Sequence, residues 1–340
     1  MTIEEIKNMV SGVDYDFLRT NPHLKNKIIF LTLGGSYAYG TNIETSDVDV
    51  RGCALNSQSD IIGLSSFEQV VNEATDTTIY SFNKLIGLLL NCNPNTIEML
   101  GCKPEHYFVM SDIGSEMISN RKLFLSQRAV ASFGGYATQQ LRRLENALAR
   151  DRLSQPMAEE HIKGALERSL CAFEDKYTEF DESSVRLFTA KSQRDGLESE
   201  VFCDINLKNY PARDFASMLN TLSSVIGNYE KLNHRNHKKD DAHLNKHAMH
   251  LIRLYLMCLD ILEKEEINTY RSDDRELLLS IRSGAFQNED GTYRSEFFDM
   301  VSEFEARLDY AKKNTSLPKH PNMKAVEEFV MSVNRRSLNA

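Results

Sequence analysis

The residues of this chain best suited to chemistry lie between Gly34 and Arg51. Gly34, Gly35 and Ser36 directly follow a run of apolar residues. Glycine lets the backbone approach a ligand closely, so that N–H groups can bind phosphate oxygens. The Ser36 hydroxyl can donate to the same oxygens. The stretch therefore predicts a phosphate-binding loop at the end of a strand.

Two aspartates, Asp47 and Asp49, follow about ten residues after the serine. Residues two apart on a strand share one face, so both carboxylates would point the same way. Like charges at that spacing repel unless a cation lies between them. Carboxylates that face phosphates supply the hard oxygen ligands of Mg²⁺ or Mn²⁺. The pair predicts a two-ion site that would activate an attacking hydroxyl and stabilise a leaving pyrophosphate.

A third carboxylate normally completes such a site. Asp76 is the best candidate because it begins the next predicted strand, and Glu73 is a possible substitute. In that position the carboxylate would ligate the catalytic metal and help to deprotonate the acceptor hydroxyl. Arg51 lies on the same strand face as the aspartates, where it would either contact a phosphate or pair with a neighbouring carboxylate.

Strands must position these residues. Residues 28–33 form a compact apolar run that stops at the two glycines, which predicts a buried strand. Residues 46–55 alternate between apolar and charged side chains and predict a half-buried strand that carries the aspartates. Residues 75–80 predict a third strand, and Ser81 would cap a helix that ends near residue 90. A short amphipathic helix is expected over residues 3–20.

The pattern changes beyond about residue 110, where helical periodicity replaces strand signals. The fold class predicted is therefore α+β. We expect a catalytic domain over residues 1–110, with a mixed sheet and flanking helices, and a mostly helical domain over 111–340 that completes the cleft. A stretch at 191–209 is ambiguous and can contain a hairpin. The predicted helices are 121–150, 156–180, 212–232, 242–265, 273–283 and 294–312, and polar breaks are expected at 180–184 and 234–241.

Several motifs together carry a family resemblance. The stretch from Gly34 to Gly52 is joined by Asn93-Pro94-Asn95 with Glu98, by Lys246 to Leu254, and by Asp274 to Leu277. Together these motifs resemble the polymerase-β-type nucleotidyltransferase superfamily, and within it the RNA-repair-pathway polymerase-β family. The resemblance implies a palm-like sheet. It also implies that Asp47, Asp49 and Asp76 are the metal carboxylates and that Gly35 and Ser36 hold the triphosphate.

A basic stripe lies within the third of these motifs. Lys246, His250 and Arg253 are spaced i, i+4 and i+7, so on a helix they share one face. Because the resemblance covers the segment, we expect this face to contact the triphosphate. The alternative is an ordinary solvated basic face.

The formal charge of −9 argues against a protein that tracks a nucleic-acid duplex through its phosphates. The predicted function is Mg²⁺-dependent transfer of a nucleoside monophosphate from a nucleoside triphosphate (NTP) to an acceptor hydroxyl. An RNA end is favoured, and a protein or small molecule stays open. A nucleotide-binding module without turnover is the alternative. No apolar run suits a membrane span or a signal peptide, so the cytoplasm is the expected location.

Overall fold

We describe a computed structural model of the chain, covering residues 1–152, 154–174, 184–194, 197–233 and 241–339. It separates into two compact units. The larger unit combines Met1–Gln140, Ala248–Phe286 and Ser295–Ala340. The smaller unit combines Leu141–His247 and Gln287–Arg294. The chain thus returns to the larger unit twice.

A mixed five-stranded sheet forms the centre of the larger unit, in the order β3-β4-β2-β1-β5. β1 pairs antiparallel with β2 and β5, β2 pairs parallel with β4, and β3 lies antiparallel at the β4 edge. The predicted α+β class with a mixed sheet is confirmed. The strands are β1 (Ile28–Leu33), β2 (Val50–Ala54), β3 (Gln69–Asn72), β4 (Thr77–Ser81) and β5 (Tyr107–Met110).

Helices make up most of the remaining structure of both units. A single turn of π-helix, Asp260–Lys264, extends the eleventh helix. The helices are α1 (Ile3–Val10), α2 (Phe17–Thr20), α3 (Gly35–Tyr39), α4 (Gln58–Ile61), α5 (Phe82–Leu89), α6 (Pro94–Ile97), α7 (Asp112–Ser119), α8 (Arg128–Arg152), α9 (Gln155–Glu174), α10 (Ala212–Asn233), α11 (Asp241–Leu259), α12 (Arg275–Arg282), α13 (Ser295–Asn314) and α14 (Met323–Leu338).

The sheet is buried because its apolar side chains pack on helices. Leu31 and Leu33 of β1 share a core cluster with Ile6 and Val10 of α1. The C-terminal α14 adds Phe329. Its ring contacts the ring of Phe82 in α5 and the ring of Phe124 in a 3₁₀ turn. This packing explains why the larger unit does not follow the predicted boundary at 110/111, since the C-terminal helices bury apolar side chains against the N-terminal part.

The smaller unit contains a hairpin, but this hairpin begins at Val185, before the ambiguous stretch 191–209 in which one was considered. Its strands, β6 (Val185–Lys191) and β7 (Ser199–Ile205), pair antiparallel. Val185 packs with Leu170 of α9 and Met218 of α10. The predicted breaks at 180–184 and 234–241, and the end of the helix predicted over 156–180, fall mostly outside the described residues.

Among the elements that the sequence analysis missed are β3, β5 and α14, together with the helices α4 and α7 and most of β6. The first two have only four residues each and lie at the edges of the sheet. No helix in the described ranges is long and apolar enough to cross a bilayer.

Candidate functional site

The glycine loop lies at the end of β1, as predicted. The N–H of Gly34 donates to the carbonyl oxygen of Asp49 over 2.8 Å. Gly35 has a φ of 54°, a conformation that favours glycine. A Cβ atom placed on Gly35 would lie 1.8 Å from Oδ2 of Asp49. The Asp49 carboxylate therefore packs directly on the Gly35 backbone, and any other residue at that position would displace it.

Asp49 and Asp76 lie side by side because the strands that follow them are parallel neighbours. Val50 is paired with Thr77 in the register of β2 and β4. The N–H of Val50 donates to the carbonyl oxygen of Asp76 over 3.1 Å. Backbone hydrogen bonds thus join the glycine loop to Asp49, and the next residue, Val50, to Asp76.

Arg51 bridges these two carboxylates. Its Nη2 lies 3.0 Å from Oδ1 of Asp49 and 3.0 Å from Oδ1 of Asp76. Because both Oδ1 atoms contact the same Nη2 atom, the distance between these two oxygens is at most twice 3.0 Å. The guanidinium also donates to the carbonyl oxygens of Val50 and Asp76. Of the two roles that the sequence left open for Arg51, pairing with carboxylates is the one observed.

The predicted strand over 46–55 begins later than expected. β2 starts at Val50, so Asp47 and Asp49 lie in the loop before the strand, and the argument from strand alternation was wrong for them. Asp76 likewise precedes β4, with a φ of 41°. The physical reason is that the ladder begins only where Val50 meets Leu33 and Thr77. Backbone pairing of the loop, not side-chain alternation, places these carboxylates.

Asp47 and Glu73 are exposed and line an open cleft of about 810 Å³ together with Asp76. Met9, Asp14 and Tyr15 form another part of its wall. Burial and the nearby carboxylates of Asp14 and Asp76 raise the pKa of Tyr15. No sequence motif pointed to this wall, because α1 and the turn after it reach the cleft only through tertiary packing.

The three predicted metal carboxylates are neighbours without being a preassembled ligand set. Across the described ranges, no three His, Cys, Asp or Glu side chains are grouped closely enough to hold a metal ion. Arg51 accounts for part of this, since its guanidinium lies between two of the three. The metal roles of Asp47, Asp49 and Asp76 stay predictions.

The basic stripe on α11 is not uniformly open. Lys246 is exposed and lies in the smaller unit, whereas His250 and Arg253 belong to the larger one. Arg253 is only 7% exposed, and its Nη1 lies 3.6 Å from Oε2 of the buried Glu98. It is therefore not part of a solvated basic face. Phosphate contact by Lys246, His250 and Arg253 stays a prediction.

Residues 9–155 match the RNA repair pathway DNA polymerase beta family. The match covers the glycine loop, Asp47, Asp49 and Asp76, and it confirms the resemblance to polymerase-β-type proteins. This family points to a nucleotidyltransferase. A comparison with curated proteins found no match.

Proposed function

We propose that this protein is a metal-dependent nucleotidyltransferase that transfers a nucleoside monophosphate from an NTP to an acceptor hydroxyl and releases pyrophosphate. One observation carries the proposal most directly. The carboxylate of Asp49 packs on Gly35, and backbone hydrogen bonds join Gly34 to Asp49 and Val50 to Asp76. The loop suited to phosphates and the carboxylates suited to metal thus converge at one end of the sheet.

Different residues bind the phosphates, accept the proton and balance the charge. The Gly34 N–H already donates to Asp49, so the backbone N–H groups that follow it and the Ser36 hydroxyl bind triphosphate oxygens. Asp76, or Glu73 beside it, faces the cleft where an acceptor would enter and accepts the hydroxyl proton. Arg51 moves from the carboxylates to a phosphate when the nucleotide binds, since a fully charged guanidinium suits both partners.

The carboxylates fit a pair of Mg²⁺ or Mn²⁺ ions in chemistry. Asp49 and Asp76 already share one cation, the Arg51 guanidinium, and Asp47 is exposed in the cleft that Asp76 lines. Asp47, Asp49 and Asp76 would hold the metal. When bound, the ions activate the acceptor hydroxyl and stabilise the leaving pyrophosphate.

An RNA end is the acceptor we favour, because the family that matches residues 9–155 is described by RNA repair. A protein or small-molecule hydroxyl is the other option. The test uses each of the four NTPs with Mg²⁺ or Mn²⁺, offered with short RNAs, total protein or a metabolite extract. Label transfer and pyrophosphate are both measured.

The decisive variant is Asp49→Asn, with Glu44→Gln as the matched control. Glu44 is an exposed carboxylate in the same loop, outside the proposed site. We expect pyrophosphate release by the wild type and by Glu44→Gln, and its loss in Asp49→Asn. Equal release by all three proteins, or none with any nucleotide, would remove the proposal.

A second candidate is a nucleotide-binding module without turnover. The observation that favours it is the Arg51 bridge, which occupies the space between two of the three proposed metal ligands. A melting scan separates the two functions, because a ligand bound only by the folded state raises the midpoint. An NTP-dependent rise without pyrophosphate over hours supports the module, whereas a rise with turnover supports the enzyme.

A further inference from the structure

Helix α3 carries the glycine loop but has only five residues. A helix of this length is not stable in isolation, because its few hydrogen bonds do not offset the entropy of ordering the chain. Its orientation must therefore come from tertiary contacts. Besides the contacts of Gly34 and Gly35 with Asp49, such contacts lie at its other end, around Tyr39 and the residues that follow it.

Tyr39 belongs to a buried polar cluster with Glu98 and Arg253. The Tyr39 hydroxyl donates to the Glu98 carboxylate, and the Arg253 guanidinium carbon lies 3.6 Å from the centre of the Tyr39 ring. Arg253 and Glu98 also form the ion pair described above. As whole residues, Tyr39 is 2% exposed, Glu98 6% and Arg253 7%. Each side chain contacts the other two, so the cluster admits few alternative arrangements.

The backbone after α3 is held by a second set of contacts. Three consecutive carbonyl oxygens, those of Tyr39, Gly40 and Thr41, each accept a hydrogen bond from one segment of the chain. The donors are the Arg271 N–H at 3.0 Å, Arg275 Nε at 2.7 Å and Arg282 Nη1 at 2.6 Å.

Two of these donors, the side chains of Arg275 and Arg282, are positively charged, which suits this end of a helix, where carbonyl oxygens lack partners within the helix. Arg282 also extends to the loop that carries the aspartates, since its Nη2 donates to the Ser46 hydroxyl over 3.2 Å. One segment, 271–282, thus holds the end of α3 and the residue before Asp47.

The composition of the cluster also favours a positioning role. Burying an ion pair is costly, and well-packed apolar residues in its place are often as stable or more so. Overall stability is therefore a weak reason for Glu98 and Arg253 to be buried together. Directional contacts, by contrast, set an orientation that apolar packing leaves less defined.

We propose that Tyr39, Glu98 and Arg253, with the arginines of segment 271–282, are positioning residues that orient the Gly34–Ser36 loop for the triphosphate. The inference rests on the proposed function. It assigns a role to three motifs that lie apart in the sequence, those around Tyr39, Glu98 and Arg253. It also makes the nucleotide site depend on residues beyond the segment 9–155.

The test compares Tyr39→Phe with Tyr255→Phe. Each substitution removes one buried tyrosine hydroxyl that donates to a glutamate within the larger unit, since Tyr255 donates to Glu305 over 2.9 Å. Tyr39→Phe should lose more stability than Tyr255→Phe, because Glu98 is buried whereas Glu305 is exposed. Only Tyr39→Phe should weaken NTP binding, by about tenfold (~1.4 kcal/mol). We expect this loss mainly as a higher KM for NTP with a smaller change in kcat, because the chemical groups stay in place.

Arg275→Gln gives a second variant that should fold, because Arg275 is exposed and loses only its bond to Gly40. We expect about threefold weaker NTP binding. Equal NTP affinity in the wild type, Tyr39→Phe and Arg275→Gln would overturn the positioning role alone. If Tyr255→Phe lost the same NTP affinity, the loss would be a general effect of stability, and the positioning role would be overturned too. A wild type that shows no NTP-dependent change in melting would overturn the proposed function, and the positioning role with it.

Discussion

Two groups of arginine and carboxylate lie at opposite ends of α3, and they differ in exposure. At the glycine end, Arg51 pairs with Asp49 and Asp76, whose side chains are 21% and 56% exposed. At the tyrosine end, the side chains of Arg253 and Glu98 are both 8% exposed. The first group faces water and can exchange its cation at small cost, whereas breaking the second leaves a buried charge. Exposure thus separates a group suited to ligand exchange from one suited to holding structure.

The largest effect should come from the exposed group, on catalysis. We expect Asp49→Asn to lower the rate of pyrophosphate release by roughly 10³-fold or more, which corresponds to about 4 kcal/mol of transition-state stabilisation. Its unfolding free energy should change by less than about 1 kcal/mol, because the pair is partly exposed. Steady-state kinetics and urea unfolding measure the two. A large loss of stability would instead make Asp49 a structural residue.

The buried group should show the reverse pattern in stability. Glu98→Ala leaves Arg253 buried without its carboxylate and should cost about 3–5 kcal/mol of unfolding free energy. Glu98→Gln, which keeps a hydrogen-bond acceptor for Tyr39, should cost less. Urea unfolding of both variants measures this difference. A cost below about 1 kcal/mol for Glu98→Ala would break the contrast between the two ends.

Gly35→Ala tests the close approach at the exposed end. The added Cβ would overlap Oδ2 of Asp49, and the φ of 54° disfavours alanine, so we expect a loss of about 2–3 kcal/mol and reduced NTP binding. Gly87→Ala is the matched control. Its Cβ meets nothing within 4 Å inside helix α5, so stability should rise by about 0.5–1 kcal/mol. Similar results for both glycines would show that Asp49 does not depend on Gly35.

The buried group also predicts a dependence of stability on pH. Burial raises the pKa of Glu98 to about 7, against the opposing effect of Arg253. The folded state therefore binds a proton more tightly than the unfolded state. This contribution is fully present below the ordinary glutamate pKa and is lost as pH rises through about 7. Among the described residues, the other titratable groups that contact Glu98 are Tyr39, Arg253 and Cys102. Burial lowers the pKa of Arg253 to about 10 and raises that of Cys102 to about 12.

Urea unfolding between pH 5 and pH 8 measures this effect. We expect the wild type to lose roughly 2–3 kcal/mol more over this interval than Glu98→Gln. The difference between the two proteins isolates Glu98 from other groups that titrate. Parallel curves would contradict the assignment.

The smallest effect should come from Arg51. In the presence of a chelator, Arg51→Gln should change the unfolding free energy by no more than about 1 kcal/mol, because exposed ion pairs contribute little. Removing the competing guanidinium should strengthen Mn²⁺ binding by up to about fivefold, while Arg51→Lys should lie nearer the wild type. Mn²⁺ titration followed by electron paramagnetic resonance checks both. Weaker Mn²⁺ binding in Arg51→Gln would show that Arg51 supports the metal site rather than competing for it.

The sequence predicted the glycine loop well for a physical reason. The apolar run of β1 is bounded by glycines, and both signals are local. The strand that carries the aspartates was placed too early, because alternation continues through Ser46 to Asp49 although no partner strand pairs there. Ladder pairing is a long-range property that alternation alone does not report. The short edge strand β3 was missed for the same reason.

The role of Arg253 shows what helical spacing in the sequence cannot predict. Its spacing from Lys246 and His250 correctly indicates a common helical face, but the spacing does not reveal what that face meets. The buried carboxylate of Glu98 is more than a hundred residues away in the chain. Only the folded chain places the two together.

By itself, the sequence determined the α+β class, the glycine loop after a buried strand and the set of nearby carboxylates. These follow from local periodicity, from the backbone freedom of glycine and from the chemistry of side chains. The tertiary structure decided that Arg51 bridges Asp49 and Asp76, that Arg253 is buried against Glu98, and that segment 271–282 holds the end of α3. Such contacts join residues far apart in the chain, and their partners are selected by packing and burial rather than by spacing.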